Sequence, residues 1–180
     1  MTIPFARDDR PLPSPPSRVT TSPRTTLVPS SPVQRGLVAG VVAGAALLGL
    51  LIGIGRRAGT AWRPVNAAAH TVLGARADGV WNYHGTVTPM GVAVVLVLSA
   101  GAGVLVARIA SSFRTLHVVT AAAGVALASY LLHVHVAARM PGGLAALLSV
   151  GELRGLYVTL GVALVGGMRF AFSGVGASSS

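Results

Sequence analysis

The sequence predicts an all-α integral membrane protein: four transmembrane helices, one short interfacial helix after the first, and an extended Pro-rich N-terminal tail. Three observations predict it. The 180 residues are 52% hydrophobic and only 10% charged, against about 25% charged in an ordinary soluble domain, so a soluble domain of this size could not cover its surface. The apolar residues fall in four long runs separated by arginine. The runs are continuous rather than alternating, which excludes barrel strands and leaves helices as the structures that satisfy their own backbone in lipid. The layout is a tail over 1–31, a transmembrane domain over 32–173 and a flexible C-terminus over 174–180. The four helices lie at about 32–55, 88–108, 115–138 and 150–172, with the interfacial helix at 64–73.

The tail holds seven of the eleven prolines among Ser, Thr and Arg. Such a segment buries too little apolar surface to offset its ordering entropy, so disorder or polyproline II is expected. Its composition also touches that of an organelle transit peptide, but Asp8, Asp9 and the prolines weaken the amphipathic helix a mitochondrial version needs. In the first helix Ser31, Pro32 and Gln34 form a capping box with proline at the first position. The uncharged stretch Gly36 to Gly55 then matches a hydrocarbon core of about 30 Å, and Arg56 and Arg57 stop it. The core is too long and begins too late for a cleavable signal peptide.

The first connection carries a short helix from Pro64 to Leu73, stopped by Gly74. Val65, Ala69, Val72 and Leu73 give it an apolar side, and Trp62, Trp81 and Tyr83 flank it as interfacial anchors. The second helix is expected to open on Thr88 as cap with Pro89 following, and to end at Arg108. The third lies between Arg114 and Arg139. Leu144 to Leu148, after Pro141-Gly142-Gly143, reads as a second interfacial turn on the same side. Ser149 and Glu152 then form another capping box for the fourth helix.

Fourteen basic and four acidic residues give a charge of +10 and an isoelectric point near 11.9. In a soluble protein this would suggest nucleic acid. Here the arginines flank the apolar runs, where they face lipid headgroups and influence topology, so no nucleic-acid partner is expected. Near the helix ends, Arg24, Arg35, Arg108, Arg114 and Arg169 lie on one side. Arg56, Arg57, Arg63, Arg76, Arg139 and Arg154 lie on the other, so charge does not choose an orientation. The expectation is a bacterial cytoplasmic membrane protein, multi-pass, with both termini in the cytoplasm. The absence of cysteine excludes disulfides, thiolate catalysis and Cys-ligated metals.

The strongest local pattern is Gly36, Gly40 and Gly44, followed by Gly49 and Gly53. Residues four apart share a helix face, so these glycines let another backbone approach closely, either within the chain's own bundle or on a partner subunit. Ser99, Gly103 and Ala107, and separately Gly124 and Ala128, repeat the small-residue spacing on other helices.

Histidine is the second pattern. His70, His84, His133 and His135 fall at one membrane level by the up-and-down trace, as do Tyr83, Tyr130, Tyr157 and Glu152. His117 falls near the opposite face. Four histidines at one level offer a metal, haem or chlorin site. Against this, His133 and His135 are about 200° apart on a helix and cannot easily serve one ion. The alternative is interfacial histidines bonded to headgroups, water or carbonyls. No catalytic acid–base pair, phosphate loop or nucleophile elbow is visible.

The segment Arg63-Pro-Val-Asn66-Ala67-Ala-Ala-His70-Thr-Val-Leu-Gly74 resembles a group of small four-helix bacterial membrane proteins with an N-A-x-x-H-x-x-x-G segment after the first helix. Asn66, Ala67, His70 and Gly74 match. The later polar and aromatic positions of that group are replaced here by Val, Leu and Ala. The resemblance implies the four-helix layout and no activity. The functional expectation is therefore a non-catalytic accessory or scaffolding subunit that contacts the lipid bilayer and packs against a membrane protein partner, or against itself, through glycine faces. A His-ligated haem, chlorin or metal protein in electron transfer, and a small oligomeric transporter or channel, are the alternatives.

Overall fold

The computed structural model describes residues 31–110, 115–139 and 141–173. The expectations for the tail up to residue 30, for Arg114 and for the C-terminal 174–180 lie outside the described residues. Four helices are long and apolar enough to cross a membrane: α1 (Pro32–Arg57), α4 (Val87–Ile109), α5 (Thr115–His135) and α7 (Val150–Ser173). Three short helices fill the connections, α2 (Arg63–Ala68), α3 (His70–Leu73) and α6 (Gly143–Leu147), with 3₁₀ turns at Gly74–Arg76 and Ala137–Arg139. No strand occurs among the described residues.

Both capping boxes form. The Gln34 N–H donates to Ser31 Oγ at 3.2 Å, and the Ser31 N–H donates back to Gln34 Oε1 at 3.3 Å. At α7 the Ser149 N–H and hydroxyl both reach Glu152 Oε2, at 2.9 and 2.8 Å, and the Glu152 N–H reaches Ser149 Oγ at 3.3 Å. Each box satisfies helix-end donors that would otherwise be orphaned.

Four boundaries differ from expectation. α1 continues through Arg56 and Arg57, which occupy its last turn, a favourable place for cations beside the carbonyl end. α4 begins at Val87 and its capping residue is Thr86, without a side-chain cap. Thr88 is not the cap because its hydroxyl is engaged elsewhere, as described below. α5 ends at His135, three residues early, and the chain tightens into the 137–139 turn ahead of Pro141. The expected single helix over 64–73 is two: at Ala69 the hydrogen bonding contracts to the Asn66 carbonyl three residues back, at 2.9 Å.

α1 is the central helix, with α4 on one side and α7 on the other; α5 packs on α7 and touches α4 sparingly. The α1–α4 crossing is nearly backbone to backbone. A Cβ on Gly36 would lie 2.6 Å from Val104 Cα, and one on Gly44 would lie 2.8 Å from the Leu96 side chain. Gly40 meets Ala100 and the Ser99 carbonyl still more closely. On the other side a Cβ on Gly167 would lie 2.7 Å from Ala39 Cα. Leu51, Val106, Leu164 and Met168 fill the core between these contacts. Dispersion and shape complementarity hold such a bundle together, since lipid tails offer no hydrophobic contrast.

The first connection does not lie flat on the bundle. α2 is buried from Pro64 to Ala68 and packs on α1, α4 and α6. Two glycines make room for it. A Cβ on Gly55 would sit 2.6 Å from the Ala61 carbonyl oxygen, and one on Gly91 would collide with the Val65 carbonyl.

Candidate functional site

Two clusters of paired polar side chains lie at the end of the bundle that holds α2. The first ties the connection after α1 to α4. Asn66 is fully buried (0% exposed) and every polar atom of its side chain is paired. Its Nδ2 donates to the Val80 carbonyl at 3.0 Å and the Asn82 carbonyl at 2.9 Å. Its Oδ1 accepts the Thr88 hydroxyl at 2.7 Å, and Thr88 Oγ1 accepts the His84 N–H at 2.9 Å. His84 Nδ1 accepts weakly from the Thr86 and Val87 N–H groups, at 3.3 and 3.4 Å, and so does part of the capping work expected of Thr88.

Beside it, His70 Nδ1 and Asp78 Oδ1 are 2.9 Å apart, and the same oxygen accepts the Gly143 N–H at 3.1 Å. Asp78 thus joins α3 to the start of α6. Gly142 and Gly143 have φ of +93° and +70°, a region in which a side chain is strained, and a Cβ on Gly142 would collide with the Asp78 carboxylate. The aromatic residues form the outer edge. Trp62 and Tyr83 meet edge to face with centroids 5.6 Å apart, and the Arg63 guanidinium lies 3.9 Å over the Trp81 ring. Trp81 and Tyr83 are exposed, which suits amphipathic rings at a membrane surface.

The second cluster joins α5 to α7. His133 Nδ1 and the Tyr157 hydroxyl are 2.9 Å apart, and Tyr130 meets Tyr157 edge to face at 5.8 Å. His133 Nε2 is buried without a partner. Below these rings a groove of about 620 Å³ runs between the two helices, with Tyr130, Tyr157 and Arg154 at its mouth and Ala123, Gly161 and Val165 along its length. A second cleft, of about 520 Å³, opens between α4 and α5, where Gly124, Ala128 and Ser129 line it. The small-residue pair Gly124 and Ala128 therefore borders a cleft; nothing lies within 4 Å of a Cβ on Gly124.

The four histidines share an end of the bundle but not a site. His70 is held by Asp78, His84 by its own turn and His133 by Tyr157, and His135 is exposed. Among the described residues no three metal-ligating side chains come together. His70, His84, His133 and His135 therefore do not converge on one centre among the described residues. Sequence position gives a residue's depth in the membrane; it does not give the direction in which it points.

The five glycines of α1 divide. Gly36, Gly40 and Gly44 are buried against α4. Gly49 and Gly53 are exposed, with nothing within 4 Å of an added Cβ, so the bundle does not use them. Sequence reasoning missed Asp78 and Gly91, read Thr88 as a cap, and read Arg154 as a helix-end charge with no part in a groove. The i, i+4, i+7, i+8, i+11 spacing of Val119, Ala123, Ala126, Leu127 and Tyr130 carried the only signal for the groove. Comparison with protein-family models, curated proteins and solved structures gave no match.

Proposed function

We propose that the protein is a non-catalytic accessory subunit of a membrane complex, and that it presents the outer row of α1 to a helix of a partner membrane protein. The observation that carries this reading is the taper of that row. Leu37, Val41, Ala45, Gly49 and Gly53 are spaced four apart and all exposed, ahead of Arg57 at the helix end. Their side chains shrink from leucine to glycine toward the end of the bundle that holds α2. A partner helix laid across the row reaches backbone contact at Gly49 and Gly53, the geometry small residues allow in membranes. Each glycine inside a helix costs roughly 1 kcal/mol of propensity relative to alanine. At Gly36, Gly40 and Gly44 internal packing offsets that cost; at Gly49 and Gly53 nothing inside the bundle does, and a partner helix would.

The test uses the absence of cysteine. Gly49→Cys and Gly53→Cys chains are expressed in the native membrane, crosslinked, and the products identified. Capture of one other membrane protein at both positions supports the reading. Capture of a second copy of the chain replaces the heterologous partner with a homo-oligomer. A chain that stays uncrosslinked and copurifies with nothing in mild detergent sinks the proposal.

A further inference from the structure

The groove between α5 and α7 has a shape and a charge that specify an occupant. One row on each helix lines it. On α5 the row runs from Val119 to Tyr130 and on α7 from Arg154 to Val165. Each row spans twelve residues, eleven steps and so about 16 Å at 1.5 Å per residue. One leaflet of hydrocarbon is about 15 Å deep, half of a core of about 30 Å. The groove is about as long as one acyl chain and runs along the middle of α5 and α7, with Arg154 at the end that faces the α5–α7 connection.

Its walls are almost wholly apolar, and Gly161 flattens its floor. A Cβ there would be 3.4 Å from the Ala126 Cβ, an ordinary packing distance, so the glycine lowers the floor where the two helices approach. Polarity is confined to the mouth. Among the described residues, no hydrogen bond or ion pair is formed by the exposed Arg154 guanidinium or by the Tyr130 hydroxyl. A cation without a counter-ion, set at one end of an apolar slot about as long as an acyl chain, complements one kind of molecule: an acyl chain bearing a negatively charged headgroup.

We propose that the α5–α7 groove binds an anionic phospholipid of the surrounding bilayer. One acyl chain lies between Ala123 and Gly161, and the phosphate meets Arg154 with the Tyr130 hydroxyl beside it. Arginine suits this role because its planar fork pairs with phosphate oxygens. The site is built from α5 and α7 and shares no residue with the outer row of α1, so the two proposals stand or fall separately.

The experiment uses the full chain with Ala123→Cys, an exposed groove position in a protein otherwise free of cysteine, labelled with bimane. The labelled protein is placed in phosphatidylcholine vesicles containing chain-brominated phosphatidylglycerol or, at the same mole fractions, chain-brominated phosphatidylcholine. Bromine quenches the label on contact, so bulk lipid gives both lipids the same baseline and binding in the groove shows as excess quenching by one of them. Half-maximal quenching is expected at a roughly tenfold lower mole fraction of phosphatidylglycerol, the selectivity of one charge-assisted contact. Arg154→Gln brings the two lipids to equal quenching, Arg154→Lys keeps most of the preference, and Arg76→Gln, on the same side but outside the groove, keeps all of it. A helical circular dichroism spectrum and an unchanged unfolding midpoint for Arg154→Gln separate lost binding from lost folding. Equal quenching by both lipids in the unsubstituted groove overturns the proposal, as does a preference that survives Arg154→Gln. So does a label that neither lipid reaches, which assigns the groove to a protein helix.

Discussion

Gly40 and Gly103 bring the backbones of α1 and α4 into contact: a Cβ on Gly103 would lie 2.6 Å from the Gly40 nitrogen and 2.8 Å from its Cα. Nothing flexible stands in the way that could give. A side chain at Gly40 must therefore push the two helices apart. Gly40→Leu is expected to destabilise the bundle by at least the 1–3 kcal/mol or so that overpacking typically costs. Gly49→Leu, on the same helix, meets open space and should leave stability within about 0.5 kcal/mol. Unfolding in mixed detergent, followed by circular dichroism, compares the two. Equal damage from both substitutions would show that α1 does not cross α4 along the Gly36–Gly44 face.

Asn66 and Thr88 form the most completely buried polar pair in the described chain, and their partners lie 14 to 22 residues apart. Removing one member strands the others in an apolar surrounding. Thr88→Val leaves Asn66 Oδ1 and the His84 N–H without their partner, and is expected to cost about 1–3 kcal/mol. Asn66→Leu strands two carbonyls and should cost at least as much. Because the two side chains share one bond, the double variant should cost less than the sum. A strictly additive double variant would show that the 2.7 Å bond contributes nothing.

Asp78 holds the connection between α5 and α7 onto the connection between α1 and α4, through one carboxylate oxygen shared by His70 and the Gly143 N–H. Asp78→Ala is expected to raise amide hydrogen exchange over 141–148 while the cores of α1 and α4 keep their protection. Gly142→Ala should act in the same direction, because a Cβ there both strains a φ of +93° and displaces the carboxylate. Unchanged exchange in both variants would remove Asp78 as the fastener.

Length and charge punctuation made the four long helices legible, because a run of apolar residues between arginines has one structural solution in lipid. Gly36, Gly40 and Gly44 were legible as a packing face, and the repeat at Ser99, Gly103 and Ala107 hinted at the face that receives them. The fate of Gly49 and Gly53 was not legible, since a glycine facing lipid and a glycine facing a helix have the same spacing. Thr88 read as a cap because Thr-Pro is a local signal, whereas the group that recruits it, Asn66, is 22 residues away. The histidines show the limit most clearly. The trace placed His133 and Tyr157 at the same level, and the structure pairs them. It also placed His70, His84 and His135 there, and the structure points each of them elsewhere.

His133 and Tyr157 make the last case, because one ring nitrogen is paired and the other is buried alone. The two ways of breaking the pair should have unequal costs. Tyr157→Phe keeps the ring edge that packs on Tyr130 but leaves His133 with no internal partner for either nitrogen. A buried polar group left unsatisfied costs about 1–3 kcal/mol, so this variant should be clearly less stable. His133→Phe removes the orphaned nitrogen together with the paired one, and the Tyr157 hydroxyl sits near the groove mouth beside Arg154, where it can turn to headgroups or water. That variant should be near neutral. The double variant, with two apolar rings in contact, should recover most of the stability lost in Tyr157→Phe, since replacing both members of a polar pair removes the stranded group. Detergent unfolding midpoints of the four proteins complete the cycle. If His133→Phe is instead as damaging as Tyr157→Phe, then Nε2 has a partner in the membrane, and the cluster is a binding site for a polar group rather than a fastener between α5 and α7.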